Sequence, residues 1–295
     1  MQFKFKIQPY QTEAAHAVTD VFAGQPNSGA SLYLRDLGHA VGGDGTEALP
    51  GLETQVQASE GYANAPIALG SATLLENIHK VQRRNRIVES SSLAAGPAPV
   101  NLDVEMETGT GKTYVYTKTM LELNRLYGWT KFIIVVPSVA IREGVYKSLK
   151  NTEQHFFEQY GKAIRYFVYN SSRLGDIDRF SASSDINVMV INMQAFNTSM
   201  KEGGRSKEAR IMYSERDEFA SRRPIDVIAA NNPIVILDEP QKMGGRATQA
   251  GIARFRPLAC LNYSATHRDR HDAVYVLDAL DAFNQRLVKR IEVKG

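Results

Sequence analysis

Six consecutive residues, Thr108 to Thr113, have the types and spacing to hold phosphate. In "ETGTGKT", Gly109 and Gly111 bracket Thr110, follow Thr108, and lead directly into Lys112 and Thr113. Glycines there let the backbone curl so that successive N–H groups converge on one anion, helped by the positive end of a following helix. Lys112 would reach the β- and γ-phosphates of a nucleotide, and the Thr113 hydroxyl would sit on Mg²⁺. The usual pattern opens with glycine where this chain has Met106. Glycine-rich strand-to-helix turns without nucleotide also occur, so a simple tight turn is the competing reading. A second constellation is Asp238–Glu239 after the apolar run "PIVIL". Asp238 can hold Mg²⁺ through its water shell, and Glu239 can orient and deprotonate an attacking water. Ser264 and Thr266 in "NYSATH" are small hydroxyls able to link a γ-phosphate edge to the acid-bearing strand.

These groups act together only if the fold brings them to one place. "DVEM" predicts a strand, "ETGTG" a turn, and "KTYVYTKTMLELNRLYG" a helix stopped by Gly128. Further strands are predicted at "KFIIVVP", "AIRYFVY", "INVMVINM", "NPIVILDEP" and "ACLNYSAT", with polar or helix-patterned stretches between them. Near-continuous apolar strands alternating with helices imply a doubly wound α/β domain around a mostly parallel sheet. In such a sheet, ligands sit beyond the carboxyl ends of the strands, so the phosphate turn and the acid pair should share one rim.

Three regions differ in texture. Residues 1–23 contain Ala14, Ala17, Val18, Val21 and Phe22 at helical spacing. Residues 24–100 are rich in Gly, Ser, Ala and Pro and predict loop or partial disorder, interrupted by one helix at "ATLLENIHKVQRRNRIVE". The arginines at 83, 84 and 86 on that helix could meet a phosphate backbone, though a solvated face explains them equally simply. Residues 101–295 carry the α/β pattern, closing in the helical spacing of "DALDAFNQRLVKRIEV".

Composition adds bounds. The formal net charge of +3 over 295 residues is compatible with a nucleic-acid partner and argues for none. One cysteine, Cys260, cannot form an internal disulfide, which fits a reducing cytoplasm. No apolar run reaches membrane-spanning length.

"TGTGKT", "DEPQ" and "SAT", in that order, resemble motifs I, II and III of superfamily 2 helicases and translocases. The longer strings "DVEMETGTGKTYVYTKTMLEL", "KFIIVVPSVAIREGV" and "NYSATHRD…YVLDALDAFNQRLVKRI" resemble the Res subunit of type III restriction–modification enzymes. The resemblance implies a single RecA-like lobe that binds and hydrolyses ATP with Mg²⁺ as a DNA motor. It implies that Gln11 reads the adenine edge, that Ser138 and Arg142 lie near the DNA backbone, and that Asn192–Phe196 occupy another DNA-facing motif. Gln241 stands where many relatives carry His and would bridge the acids to the γ-phosphate. The implied partners are double-stranded DNA, the methyltransferase (Mod) subunit, and a second helicase lobe and nuclease domain, both expected to be missing from this chain. A lone lobe is then expected to hydrolyse ATP weakly, loss of an arginine finger alone costing a factor of about 10³ or more. The competing reading is a truncated, catalytically silent nucleotide-binding module.

Three other patterns are set aside. Glu292-Val293-Lys294 resembles a nuclease signature but closes a helical pattern. His267–Asp269 spells a kinase-like "HRD" without the accompanying loops. His267 and His271 have the spacing of zinc ligands, but no Cys or acidic partner follows, and both are expected at the surface.

Overall fold

The computed structural model describes residues 5–35, 59–193, 211–243, 245–267 and 271–287. A seven-stranded sheet forms its centre. The strands are β3 (Val100–Met106), β4 (Lys131–Val136), β5 (Ile164–Val168), β6 (Ile186–Asn192), β7 (Ile234–Asp238), β8 (Ala259–Ser264) and β9 (Asp272–Leu277). They lie in the order β5-β6-β4-β7-β8-β3-β9. Every pairing within this sheet is parallel. The doubly wound expectation holds, and the expected strands from "DVEM" to "ACLNYSAT" are all present.

Alternation along each strand decides which helices cover which face, because successive Cβ atoms point to opposite sides. Phe132, Ile134, Val188, Val190 and Ile236 face one core, with α1 (Pro9–Thr19), α2 (Ser71–Arg84), α3 (Lys112–Tyr127) and α4 (Val139–Tyr160). Ile133, Val135, Met189, Ile191 and Val235 face the other, with α5 (Gly175–Ala182), α6 (Pro224–Ala229) and α7 (Arg246–Arg254). Both faces are thus dry, which is why the central strands carry apolar residues at nearly every position. One strand, β8, separates the glycine-loop strand β3 from the acid-bearing β7. The chain folds as a doubly wound α/β lobe around a parallel sheet.

The helices that frame the rim have local reasons to start and stop. Ser138 caps α4, its hydroxyl accepting the Ile141 N–H at 3.3 Å. Gly128 ends α3 in the left-handed region at φ +76°, where its N–H reaches the Asn124 carbonyl at 2.9 Å. A Cβ at Gly128 would come within 2.6 Å of the Gly29 backbone.

The described parts of residues 24–100, which are 24–35 and 59–100, are more structured than their composition suggests. An antiparallel hairpin forms from β1 (Ala30–Arg35) and β2 (Ser59–Asn64), against the expectation of loop there. Beyond it, the Asn64 side chain accepts the N–H groups of Thr130 and Lys131 at 2.7 and 2.9 Å, and Trp129 donates to the Ala65 carbonyl at 2.8 Å. Here one buried amide and one indole anchor a polar segment to the head of β4, a contact that composition does not reveal. The expected helix is α2, which buries Leu74, Ile78 and Val81.

Strand β9 lies just ahead of the helical pattern expected from Asp278 onward and adds to the expected strands. It pairs with β3 as an edge, and only Ala279–Asn284 of that pattern form helix α8 among the described residues. The stretch 288–295, with Glu292–Lys294, lies outside the described residues.

Candidate active site

The turn between β3 and α3 is built on its glycines. Gly109 and Gly111 have φ of +86° and +91°, in the region where L side chains are strained. Thr110 ties the turn to its own base, its hydroxyl donating to the Glu107 carbonyl at 2.6 Å, while the Thr108 N–H donates to the Glu107 carboxylate at 2.7 Å. From α1, the Tyr10 hydroxyl and the Gln11 amide both donate to the Thr110 carbonyl, at 2.8 and 3.1 Å. Gln11 therefore stands at the glycine turn, with its amide engaged on the turn itself.

The acid pair comes to the same rim. Lys112, on the first turn of α3, places Nζ 3.0 Å from Glu239 Oε1 and donates to the Met106 carbonyl at 3.3 Å. Glu239 follows β7 in a left-handed conformation at φ +60°, uncommon for a non-glycine residue. Its N–H donates to the Tyr263 carbonyl at 2.9 Å, which pins the backbone against β8. Its second oxygen accepts the Gln241 amide at 2.5 Å. Ser264 Oγ lies 2.7 Å from Gln241 Oε1 and 2.6 Å from the Thr266 carbonyl, two acceptors for its one proton, and it accepts the Thr266 N–H at 3.1 Å. A continuous polar chain thus runs Lys112–Glu239–Gln241–Ser264–Thr266.

The two neighbouring carboxylates are driven apart electrostatically. Burial, and then the charge of Glu239, push Asp238 up to about 6. Burial also acts to raise Glu239, but its bond and charge contact with Lys112 and the Gln241 amide outweigh that and hold it below the ordinary value. Asp238 is 6% exposed, and the Tyr116 hydroxyl reaches its Oδ2 at 3.4 Å.

Ser138 and Arg142 lie elsewhere on the rim, beyond β4. The Ser138 hydroxyl is used as the α4 cap, and Arg142 pairs with Glu143 at 2.9 Å. Arg142 borders an open groove with Tyr146, Tyr166, Arg173 and Asn192. Asn192 and Met193 are described, whereas Gln194–Phe196 lie outside the described residues.

The expectation that His267 and His271 lie at the surface is wrong. Their side chains are 5% and 10% exposed and converge on Asp103 of β3. His271 Nδ1 is 2.9 Å from Asp103 Oδ1, its backbone N–H donates to Oδ2 at 2.7 Å, and His267 Nδ1 lies at 3.6 Å. No spacing rule could find this acid, because it precedes the histidines by most of the domain and meets them through the β3–β8 pairing. Tyr10 and Tyr116 were missed as well. For Tyr116 a signal existed: it follows Thr113 by three positions on a helix, hence on the same face.

The arrangement suits a nucleoside triphosphate with a hard divalent cation. The glycine turn leads into a helix N-terminus as a phosphate cradle needs, and Thr113 and Asp238 carry oxygens of the kind that could hold Mg²⁺.

The chain is similar in sequence to known proteins. The family model described as "Type III restriction enzyme, res subunit" matches residues 53–269. The EcoPI Res subunit of Escherichia phage P1 is 34% identical over 242 residues, covering 77% of this chain and 25% of that protein. The EcoP15I Res subunit of Escherichia coli is 32% identical over 243 residues, covering 78% and 25%. This chain therefore spans about a quarter of the length of these relatives. The Sulfolobus solfataricus SWI2/SNF2 ATPase core in complex with dsDNA matches loosely, at 12% identity and a TM-score of 0.34, over 70% of this chain and 33% of that one. With the glycine turn, the acid pair and the Ser264 link assembled at one rim, and a family model covering most of its length, the chain belongs to the res subunit family of type III restriction enzymes.

Proposed function

We propose that this chain is the ATP-binding and ATP-hydrolysing lobe of a type III restriction motor. In this reading Thr108–Thr113 cradle the phosphates, Lys112 neutralises the β- and γ-phosphates, and Thr113 with Asp238 holds Mg²⁺. Bound magnesium would screen the phosphate charge. Glu239 orients and deprotonates the attacking water, Gln11 reads the adenine edge, and Gln241 with Ser264 and Thr266 links hydrolysis to movement. Ser138 and Arg142 approach the backbone of double-stranded DNA. The lobe works with a second helicase lobe, a nuclease domain and a methyltransferase (Mod) subunit, in the cytoplasm. No described helix is long and apolar enough to cross a membrane.

The observation that carries this reading is the 3.0 Å contact between Lys112 and Glu239, which joins the glycine turn and the acid strand. Equilibrating the chain with labelled ATP and Mg²⁺, beside Lys112→Ala, tests it. Binding by the wild type and loss of at least tenfold in the variant is expected; equal binding, or none in either, refutes it.

The same contact favours a second reading, a nucleotide-binding module without turnover, because Lys112 and Glu239 occupy one another. Phosphate release after ATP addition separates the two. Slow release, abolished by Glu239→Gln, supports the motor lobe, and binding with no release supports the silent module.

A further inference from the structure

Tyr116 belongs to none of the motifs that drew attention to this chain, yet its side chain is entirely buried beside the proposed metal position. Its ring packs edge-on against Tyr263, with centroids 5.5 Å apart. That contact, between α3 and the strand that separates the glycine turn from the acids, fixes where the hydroxyl points. The hydroxyl reaches Asp238 Oδ2 at 3.4 Å, and the Thr113 side chain interacts with the same phenolic oxygen. One buried phenol therefore stands by both residues expected to hold magnesium, bonded to Asp238 and three positions along α3 from Thr113.

We propose that Tyr116 is a positioning residue for the metal site, joining the Thr113 hydroxyl to the Asp238 carboxylate. The inference rests on the nucleotide reading above and deepens it. A threonine hydroxyl whose oxygen faces a cation must direct its proton to another acceptor. The phenolic oxygen of Tyr116 would be that acceptor, and the phenol donates its own hydrogen bond to Asp238 Oδ2. The carboxylate is thereby held in one orientation even though it is buried and next to Glu239. The arrangement also explains why a hydroxyl-bearing aromatic stands at this buried place on α3, where phenylalanine would fill the same space without a polar atom to satisfy.

The test is Tyr116→Phe, which keeps the ring and removes only the hydroxyl. A fluorescent ATP analogue is titrated with the full chain in EDTA and across a range of Mg²⁺ concentrations, with melting followed by circular dichroism. The 3.4 Å bond to the Asp238 carboxylate is long, so its loss is worth about three- to tenfold, the range of an ordinary hydrogen bond. The Mg²⁺ concentration for half-maximal enhancement of binding is expected to rise by that factor, while affinity in EDTA stays within twofold. In an Asp238→Asn background the same change should shift the Mg²⁺ midpoint no further. Overturning results are an unchanged midpoint, or an equal loss of affinity with and without metal, which would mark Tyr116 as packing alone. A wild-type chain that binds the analogue with no enhancement by Mg²⁺ removes the metal position and this proposal with it, leaving nucleotide binding intact. A wild-type chain that binds no analogue at all overturns the nucleotide reading itself.

Discussion

Lys112 Nζ lies 3.0 Å from Glu239 Oε1, with the two side chains only 10% and 13% exposed. Each group is thereby occupied by the other. The lysine must leave to meet phosphate, and the glutamate must be released to take a proton from water. Removing the negative charge frees the lysine, so Glu239→Gln is expected to bind MgATP at least as tightly as the wild type while losing about 100-fold or more in hydrolysis. Equilibrium binding and single-turnover phosphate release check the two halves separately. A variant that binds at least tenfold more weakly would show that the pair does not restrain Lys112.

Asp238 should make the metal-free protein less stable at neutral pH. Its folded value of about 6 lies above the 3.8 of a free aspartate. A raised carboxylate contributes no penalty below about pH 4, where both states are protonated. The penalty grows as pH rises through the interval and is complete above about 6. Two units correspond to about 3 kcal/mol as an upper figure. Asp238→Asn in EDTA is therefore expected to melt several degrees above wild type at pH 7.5 and to show no advantage near pH 4. A stabilisation that is the same at both pH values would point to packing instead of charge.

Asp103 holds the segment after β8 to the glycine-turn strand. Asp103→Ala removes the acceptor of the His271 N–H and of the His271 ring and leaves buried polar groups unpaired. A loss of about 2–3 kcal/mol is expected in urea unfolding. Less than 1 kcal/mol would mean that the cluster is readily hydrated. Because Asp103 and Met106 share β3, nucleotide affinity should also fall in this variant, by less than in Lys112→Ala.

Gly128 is required by both its angle and its neighbour. A Cβ there would meet the Gly29 Cα at 2.6 Å, at a φ of +76°. Gly128→Ala is expected to cost about 2 kcal/mol or more, the left-handed penalty alone being about 1–2. A thermal melt within one degree of wild type would contradict this. Gly161 ends α4 at φ +64° with open space around its Cβ position, so Gly161→Ala should cost only the angular part.

The parts of this protein that are legible in the chain are the local ones. "TGTGKT" specifies a turn because glycines at 109 and 111 adopt angles other residues resist, and Gly128 stops α3 for the same reason. "KFIIVV" and "PIVIL" announce strands covered on both faces, since only doubly buried strands are apolar at every position. From these, the parallel sheet and the shared rim of Lys112 and Glu239 follow by the general behaviour of such sheets. Composition misled where a segment borrows its stability: β1, β2 and the stretch around Asn64 have little apolar surface of their own, and partners on α5 and at the head of β4 supply what is needed.

Which residues actually touch was left to the tertiary structure. Alternation along β3 turns Val104 into one core and Asp103 to the opposite face, where pairing with β8 and β9 delivers His267 and His271 from the far end of the domain. Tyr116 meets Asp238 because α3 packs over β8, and Gln11 meets the glycine turn because α1 packs on α3. Spacing rules act over a few residues, where backbone geometry alone sets the distance. Contacts between segments a hundred residues apart depend on strand order and face, and those are settled only when all the apolar surfaces are buried together.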